Sequence, residues 1–203
     1  RTVEADETLT LLIEAIDSIC GVPYAYAQID PLKNADGGQP GGNIRVAFLY
    51  RTDRPIALAN NTVGASDEAV SITCADNTPV PSVALGRIDP TNNAFTNSRR
   101  PLVGHFMLNG VPFFFINLHL NSKGGDDPLW GFSQPPALLT ETQRLEQTAV
   151  IRAFMQSILD CDPNANIIIG GDYNDFQFSD AVTDLISTTP PFTVMNTTLP
   201  TEE

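Results

Sequence analysis

The chain has 203 residues, 42% of them hydrophobic, and 11 Lys and Arg against 24 Asp and Glu, for a formal net charge of −13. That length suffices for one domain with a sizeable core, while the acid excess excludes a generic basic coat for nucleic acid, so any phosphate chemistry has to be local or metal-assisted. The longest apolar stretch of note, residues 111–116, is interrupted by Pro112 and falls far short of the ~18 residues of a spanning helix, so no membrane span is expected.

The N-terminal Arg1-Thr2-Val3-Glu4 has no charged-then-apolar layout of a signal peptide, which fits a mature chain or one that begins inside a longer precursor. Leu9, Leu12, Ile13 and Ile16 repeat at helical spacing, with Asp6 or Thr8 as N-cap and Gly21 as the stop. Residues 30–43 contain Gly37-Gly38-Gln39-Pro40-Gly41-Gly42 and predict a surface loop. From Ile44 to Tyr50 the period becomes two, which predicts a strand. Residues 76–96, with Pro79, Pro81 and Pro90, read as a mostly irregular excursion.

Residues 102–108 and 111–120 are β-rich runs joined by Asn109-Gly110, the dipeptide that favours a type I′ hairpin. A third loop, residues 121–140, carries Gly124-Gly125-Asp126-Asp127 and Pro135-Pro136. Helical spacing resumes over residues 141–159, a short apolar strand follows at Ile167-Ile168-Ile169, and a last helix is predicted at residues 179–186 before a Pro/Thr-rich tail. Cys20, Cys74 and Cys161 form no C-x-x-C pair, so zinc and thioredoxin-type chemistry are not indicated; one bridge with a free thiol and three core cysteines both fit. The order of elements predicts an α+β layered domain with two packed, mainly antiparallel β-sheets flanked by helices.

Two polar clusters lie where strands run out into loops. In the first, Asn117, His119 and Asn121 share one face of a strand, opposite Leu118 and Leu120. Such a stripe is either a solvent-facing edge or a set of groups with partners. His105, between Gly104 and Phe106, has no polar company and reads as structural. In the second cluster, Asp172-Tyr173-Asn174-Asp175 follows two glycines that allow a sharp turn and close approach of a ligand. Asp172 can hold a metal or accept a proton, and Asn174 can donate to a charged oxygen; an Asx turn accounts for the same residues. An EF-hand is excluded, because Phe176 and Gln177 stand where an oxygen ligand and glycine are required. Arg99, Arg100 and Lys123 flank the hairpin carrying His119, which suits a phosphate.

Taken in order, Gly41-Gly42-Asn43-Ile44-Arg45-Val46-Ala47-Phe48-Leu49-Tyr50, Ser98-Arg99-Arg100-Pro101-Leu102, Asn117-Leu118-His119-Leu120-Asn121-Ser122-Lys123-Gly124-Gly125-Asp126-Asp127 and Gly170-Gly171-Asp172-Tyr173-Asn174-Asp175-Phe176 resemble successive blocks of the endonuclease/exonuclease/phosphatase superfamily, and within it the bacterial extracellular nuclease branch. The resemblance covers nearly the whole chain. It implies that Asp172 orients or deprotonates the attacking water and that Asn174 holds phosphate oxygens, both being tentative metal ligands. His119 would be the general acid or would stabilise the transition state. Arg99 would contact the phosphate with Arg100 as its competitor, and Asn43, Asn121 and Lys123 would complete the substrate-binding set. The implied cofactor is Mg²⁺ or Mn²⁺, often helped by Ca²⁺, the implied partner is DNA with RNA as the alternative, and the implied location is secreted or periplasmic. No obligate protein partner is evident.

The resemblance also has gaps. The family's first strands, which bear an Asn and the metal-binding Glu, and its closing Asp-His and Ser-Asp-His segments have no counterpart; Glu4 lacks an apolar strand before it, and His105 and His119 are the only histidines. The expectation is that residues 1–203 form a single domain lacking its N-terminal strands and its C-terminal catalytic segment, and that the isolated chain turns over little. Two other functions are compatible with the sequence: a phosphatase or a phospholipid or inositol-phosphate diesterase of the same fold, and a noncatalytic Ca²⁺-binding secreted module suggested by the acidity and by Asp126-Asp127.

Overall fold

The Asn109-Gly110 turn sets the centre of the molecule. In the computed structural model, which describes residues 3–193, both residues have positive φ (52° and 78°), and the flanking runs pair from Leu108–Val111 to Leu102–Asn117. The elements in chain order are α1 (Asp6–Cys20), β1 (Tyr24–Ala27), β2 (Phe48–Arg51), β3 (Ile56–Leu58), β4 (Ile72–Ala75), β5 (Thr78–Pro81), β6 (Leu85–Arg87), a 3-10 turn at Asn93–Phe95, β7 (Leu102–Leu108), β8 (Val111–His119), α2 (Glu141–Cys161), β9 (Ile167–Asp172) and α3 (Asp180–Leu185). The fold is α+β. A five-stranded sheet runs β3-β7-β8-β9 with β6 also on β7, and the ribbons β1-β2 and β4-β5 are separate. Its pairs are antiparallel except β8-β9, which is parallel.

Alternation along the strands sorts the core into two layers. Phe114, Ile116 and Leu118 of β8 face α2 and cluster with its Ile151, Met155 and Ile158. Leu102 of β7 faces the other way, toward Phe48 and Tyr50 of the β1-β2 ribbon, whose rings meet Phe106 edge-on at centroid distances of 5.5 and 5.3 Å. Asn117 and His119 share that second face, and Asn117 Nδ2 donates to the Ala47 carbonyl. Across the β7–β8 pair, Phe114 stacks on His105 at 4.8 Å, giving that histidine a structural role.

Several boundaries move from the sequence expectation. The first helix starts at Asp6 with no side-chain cap, ends at Gly21 in the left-handed conformation and buries none of its residues. The strand expected at residues 44–50 is regular only from Phe48, because Ile44 bonds back to the Gly37 carbonyl instead of to a neighbouring strand. The excursion at residues 76–96 holds two short strands. Pro79 and Pro81 fit there because β5 belongs to a two-stranded ribbon, where alternate N–H groups point outward and need no partner. Cys74 on β4 and Cys161 at the end of α2 form a disulfide, and Cys20 is free and exposed. No helix among the described residues is long and apolar enough to cross a membrane. The end of the Pro/Thr-rich tail, residues 194–203, lies outside the described residues.

Met155 has no exposed surface and sits in the middle of the larger cluster. Met155→Ala is expected to cost about 2–5 kcal/mol in urea-induced unfolding, through lost burial and the cavity left behind.

Candidate functional site

Two adjacent parallel strands deliver their last side chains to the same edge of a sheet, and that is how the site is assembled. The register pairs His119 with Asp172. Gly171, immediately before Asp172, has a φ of 134°, and a Cβ there would lie 2.0 Å from the Leu118 carbonyl oxygen, so only glycine allows β9 to approach β8 this closely. His119 Nε2 stands 3.5 Å from Asp172 Oδ2, with 24% and 58% of the two side chains exposed. The other carboxylate oxygen, Oδ1, accepts the Asn174 N–H at 2.8 Å, which closes an Asx turn with Asn174 at a φ of 49°. The turn and the site are therefore the same object: local hydrogen bonding aims one oxygen of Asp172 at the histidine.

Arg99 completes the group from the irregular segment just before β7, the strand on the far side of β8. It is 96% buried, and its Nη2 donates to the Leu120 carbonyl, which also accepts from Asn174 Nδ2 at 2.9 Å. Its Nε has no hydrogen-bond partner among the described residues. Burial lowers the Arg99 pKa against the opposing field of Asp172. Burial, and then the positive charge of Arg99, also lower the His119 pKa, with Asp172 opposing. The imidazole is thus neutral at pH 7 and offers one donor and one acceptor nitrogen.

The other residues singled out in the sequence stand elsewhere. Arg100 is engaged by Asp36 at 3.2 Å and by the Pro90, Ala35 and Ser98 carbonyls. Asn43 accepts the Asp36 N–H and so shapes the glycine-rich loop, whose Gly38 lies directly against the Arg99 side chain. Asn121 donates its backbone N–H to Gln147 Oε1. Lys123 pairs with Asp175 at 2.7 Å, beside the central group.

Sequence reasoning missed the ion cluster that holds these loops. Arg144 of α2 has no exposed surface and donates to Asp126 at 2.9 Å and to Asp175 at 2.8 Å, while Asp126 also accepts the Thr140 N–H and hydroxyl. One guanidinium thereby joins the loop after β8, the start of α2 and the turn after β9. No helical periodicity signals this, since Arg144 reads as an ordinary surface position; two acids flanking the site loops were the available hint. Asp127, the other residue behind a Ca²⁺-binding reading, accepts the Ala137 N–H.

For a metal, the available donors are the exposed carboxylate of Asp172 and the amide oxygen of Asn174. No group of three or more His, Cys, Asp or Glu is gathered among the described residues. This donor set fits Mg²⁺ or Mn²⁺, which keep several waters and take one or two carboxylates plus substrate phosphate, better than Ca²⁺, which takes six to eight oxygens.

No family model matches the chain, and no curated protein matches it. Among solved structures, an endonuclease/exonuclease/phosphatase family protein from Bacteroides thetaiotaomicron is similar at 16% identity over 88% of this chain and 51% of that one, with a TM-score of 0.47. The chain spans about half the length of that solved relative.

Arg144→Ala leaves Asp126 buried without a counter-charge and Asp175 with Lys123 as its remaining cation, and is expected to cost about 3–5 kcal/mol in chemical denaturation. Burial by itself would raise both carboxyls, but for Asp126 the Thr140 N–H and Arg144, and for Asp175 Lys123, the Phe176 N–H and Arg144, outweigh it and hold them below the ordinary value. Folded-state values below the unfolded one of about 3.9 stabilise fully above that pH and cease to do so as pH falls through the depressed values. Thermal melts should therefore show stability falling below about pH 4, with a smaller acid-dependent loss in Arg144→Ala.

Proposed function

We propose that this chain is the core of a metal-dependent phosphodiester hydrolase, acting on DNA with RNA as the alternative. The observation that carries the reading is the buried Arg99 guanidinium, whose Nε has no partner among the described residues and whose charge is felt by His119 and Asp172. Leaving a buried charged donor unpaired is costly, and an oxyanion of the substrate would satisfy it. Hydrolysis of a phosphodiester needs an oriented water, neutralisation of charge building on the phosphoryl oxygens, and a proton for the leaving oxygen.

The residues divide along those lines. Asp172 presents its free Oδ2 to solvent and to His119, and there it orients a water and accepts its proton. Arg99 donates to a phosphoryl oxygen from a desolvated position, where the interaction is stronger than in water. Asn174 is held by its backbone N–H and Nδ2, which leaves its carbonyl oxygen for a metal. The neutral His119 donates an N–H hydrogen bond to charge developing on the leaving oxygen or in the transition state, and the leaving oxygen takes its proton from solvent water. A divalent cation on Asp172 would supply further charge neutralisation. The acidic surface favours such local recognition over a broad basic footprint, and the Cys74–Cys161 bridge suits the oxidising conditions of a secreted or periplasmic protein.

On this reading a further acidic ligand and a second histidine belong to the parent protein, and the isolated chain has little turnover. A panel of plasmid DNA, RNA, sphingomyelin and inositol phosphates, assayed with Mg²⁺ on the chain and on its full-length parent, tests the assignment. The parent should cleave DNA, and His119→Ala or Asp172→Ala should each lower the rate by about 10²-fold or more. Equal rates in wild type and both variants would overturn it, and turnover confined to a lipid or inositol phosphate would move the substrate class. Arg99→Met should lower kcat/KM for the same substrate by a comparable factor.

A further inference from the structure

Two residues past Asn174, the turn after β9 turns its aromatic side chains outward. Phe176 and Phe178 are 43% and 68% exposed, and their rings lie parallel, 2° apart in plane with centroids separated by 5.2 Å. Lys123 Nζ sits 5.2 Å from the Phe176 centroid, held there by its bond to Asp175. The result is a short stack of cation and two rings, with the surface of Phe178 left to solvent. Three residues separate Phe176 from Asp172, four Cα–Cα steps that span at most about 14 Å, so the stack stands on the same rim as the candidate site.

Resting on the hydrolase reading above, we propose that this stack is a platform for an unpaired nucleobase, and that the substrate is a single-stranded polynucleotide or a single-stranded region of one. A base placed on Phe178 extends a stack whose geometry is already set. Such stacking tolerates any base, because every base has a π-face. Lys123 meets the backbone negative charge at the inner end of the stack, and Arg99 with its free Nε waits for a phosphate further in. Base-paired DNA cannot use the platform, since its bases already stack on one another inside the duplex. The arrangement also answers the charge of −13: affinity from stacking does not need a basic surface, and with about one or two cations engaged the salt dependence stays shallow.

The test is fluorescence anisotropy of a labelled oligothymidylate in EDTA, so that binding is read without cleavage. The comparison probes are an abasic oligomer of equal length, a duplex, and phosphatidylserine/phosphatidylcholine vesicles. Phe178→Ala should weaken oligothymidylate binding about 5- to 100-fold, Phe178→Trp should preserve it, and binding of the abasic oligomer and the duplex should be weak and indifferent to either change. Because Phe178 is largely exposed, melting curves of the variants should overlay that of the wild type, and Phe176→Ala gives a second, independent disruption of the stack. Equal binding by wild type and Phe178→Ala, equal affinity for the abasic oligomer, no binding by the wild type, or Phe178-dependent binding to vesicles alone would each overturn the proposal. Hydrolysis of bis(p-nitrophenyl) phosphate with Mg²⁺ by the parent protein reads the hydrolase assignment separately: its absence leaves the binding result standing, and its presence does not rescue a failed platform.

Discussion

Everything at the candidate site depends on the parallel pairing of β8 with β9, and that pairing depends on a position with no side chain. Gly171 lets the Leu118 carbonyl pass within a distance that any Cβ would occupy. With the strands that close, the register carries His119 and Asp172 to the same edge together, and the chain leaves that edge in two loops that begin side by side. A parallel pair puts both carboxyl ends on one side of a sheet, so one geometric choice positions the imidazole, the carboxylate, the Asx turn and the aromatic stack beyond it.

The second dependence is electrostatic. Among the described residues three cations, Arg87, Arg99 and Arg144, are buried, and buried acids accompany two of them. Arg87 and Arg100 hold Asp36 and with it the glycine-rich loop that lies on Arg99; Arg144 holds Asp126 and Asp175 and with them the loops that carry Lys123 and Asn174. Arg99 differs from both in having no acid bonded to it and a free Nε. Where a buried guanidinium is neutralised internally it fixes loops; on the proposed reading, the one that is not neutralised leaves a place for an external anion. The three buried arginines are matched in number by the buried carboxylates of Asp36, Asp126 and Asp175, so the acid excess of the chain lies on its surface.

The aromatic stack fits this scheme. A protein with few free cations and a deep acid excess has little with which to hold a polyanion along its length, and a base on a flat ring supplies affinity that does not depend on charge. The position of Lys123, bonded to Asp175 on one side and lying over Phe176 on the other, ties the stack to the same ion cluster that orders the site.

Much of this was legible in the sequence, and the reason differs element by element. Asn109-Gly110 dictated the hairpin because few other residues tolerate two positive φ angles in succession, and period-two alternation separated Asn117 and His119 from Phe114, Ile116 and Leu118. The α+β class, the long helix and the run after Ile167 followed from local periodicity in the same way. The strands β4, β5 and β6 were not legible, since segments of three or four residues with prolines carry no period and exist only by virtue of their partners. What tertiary structure alone decided is which charges meet. Arg99 and Arg100 are neighbours with identical chemistry, yet the first is buried with an unpaired Nε and the second is enclosed by Asp36 and three carbonyls. Arg144 is marked by nothing in the sequence pattern and is the most buried cation among the described residues. Sequence determines local conformation through short-range sterics and periodicity, whereas the pairing of charges distant in sequence is settled by where the folded strands and loops bring them.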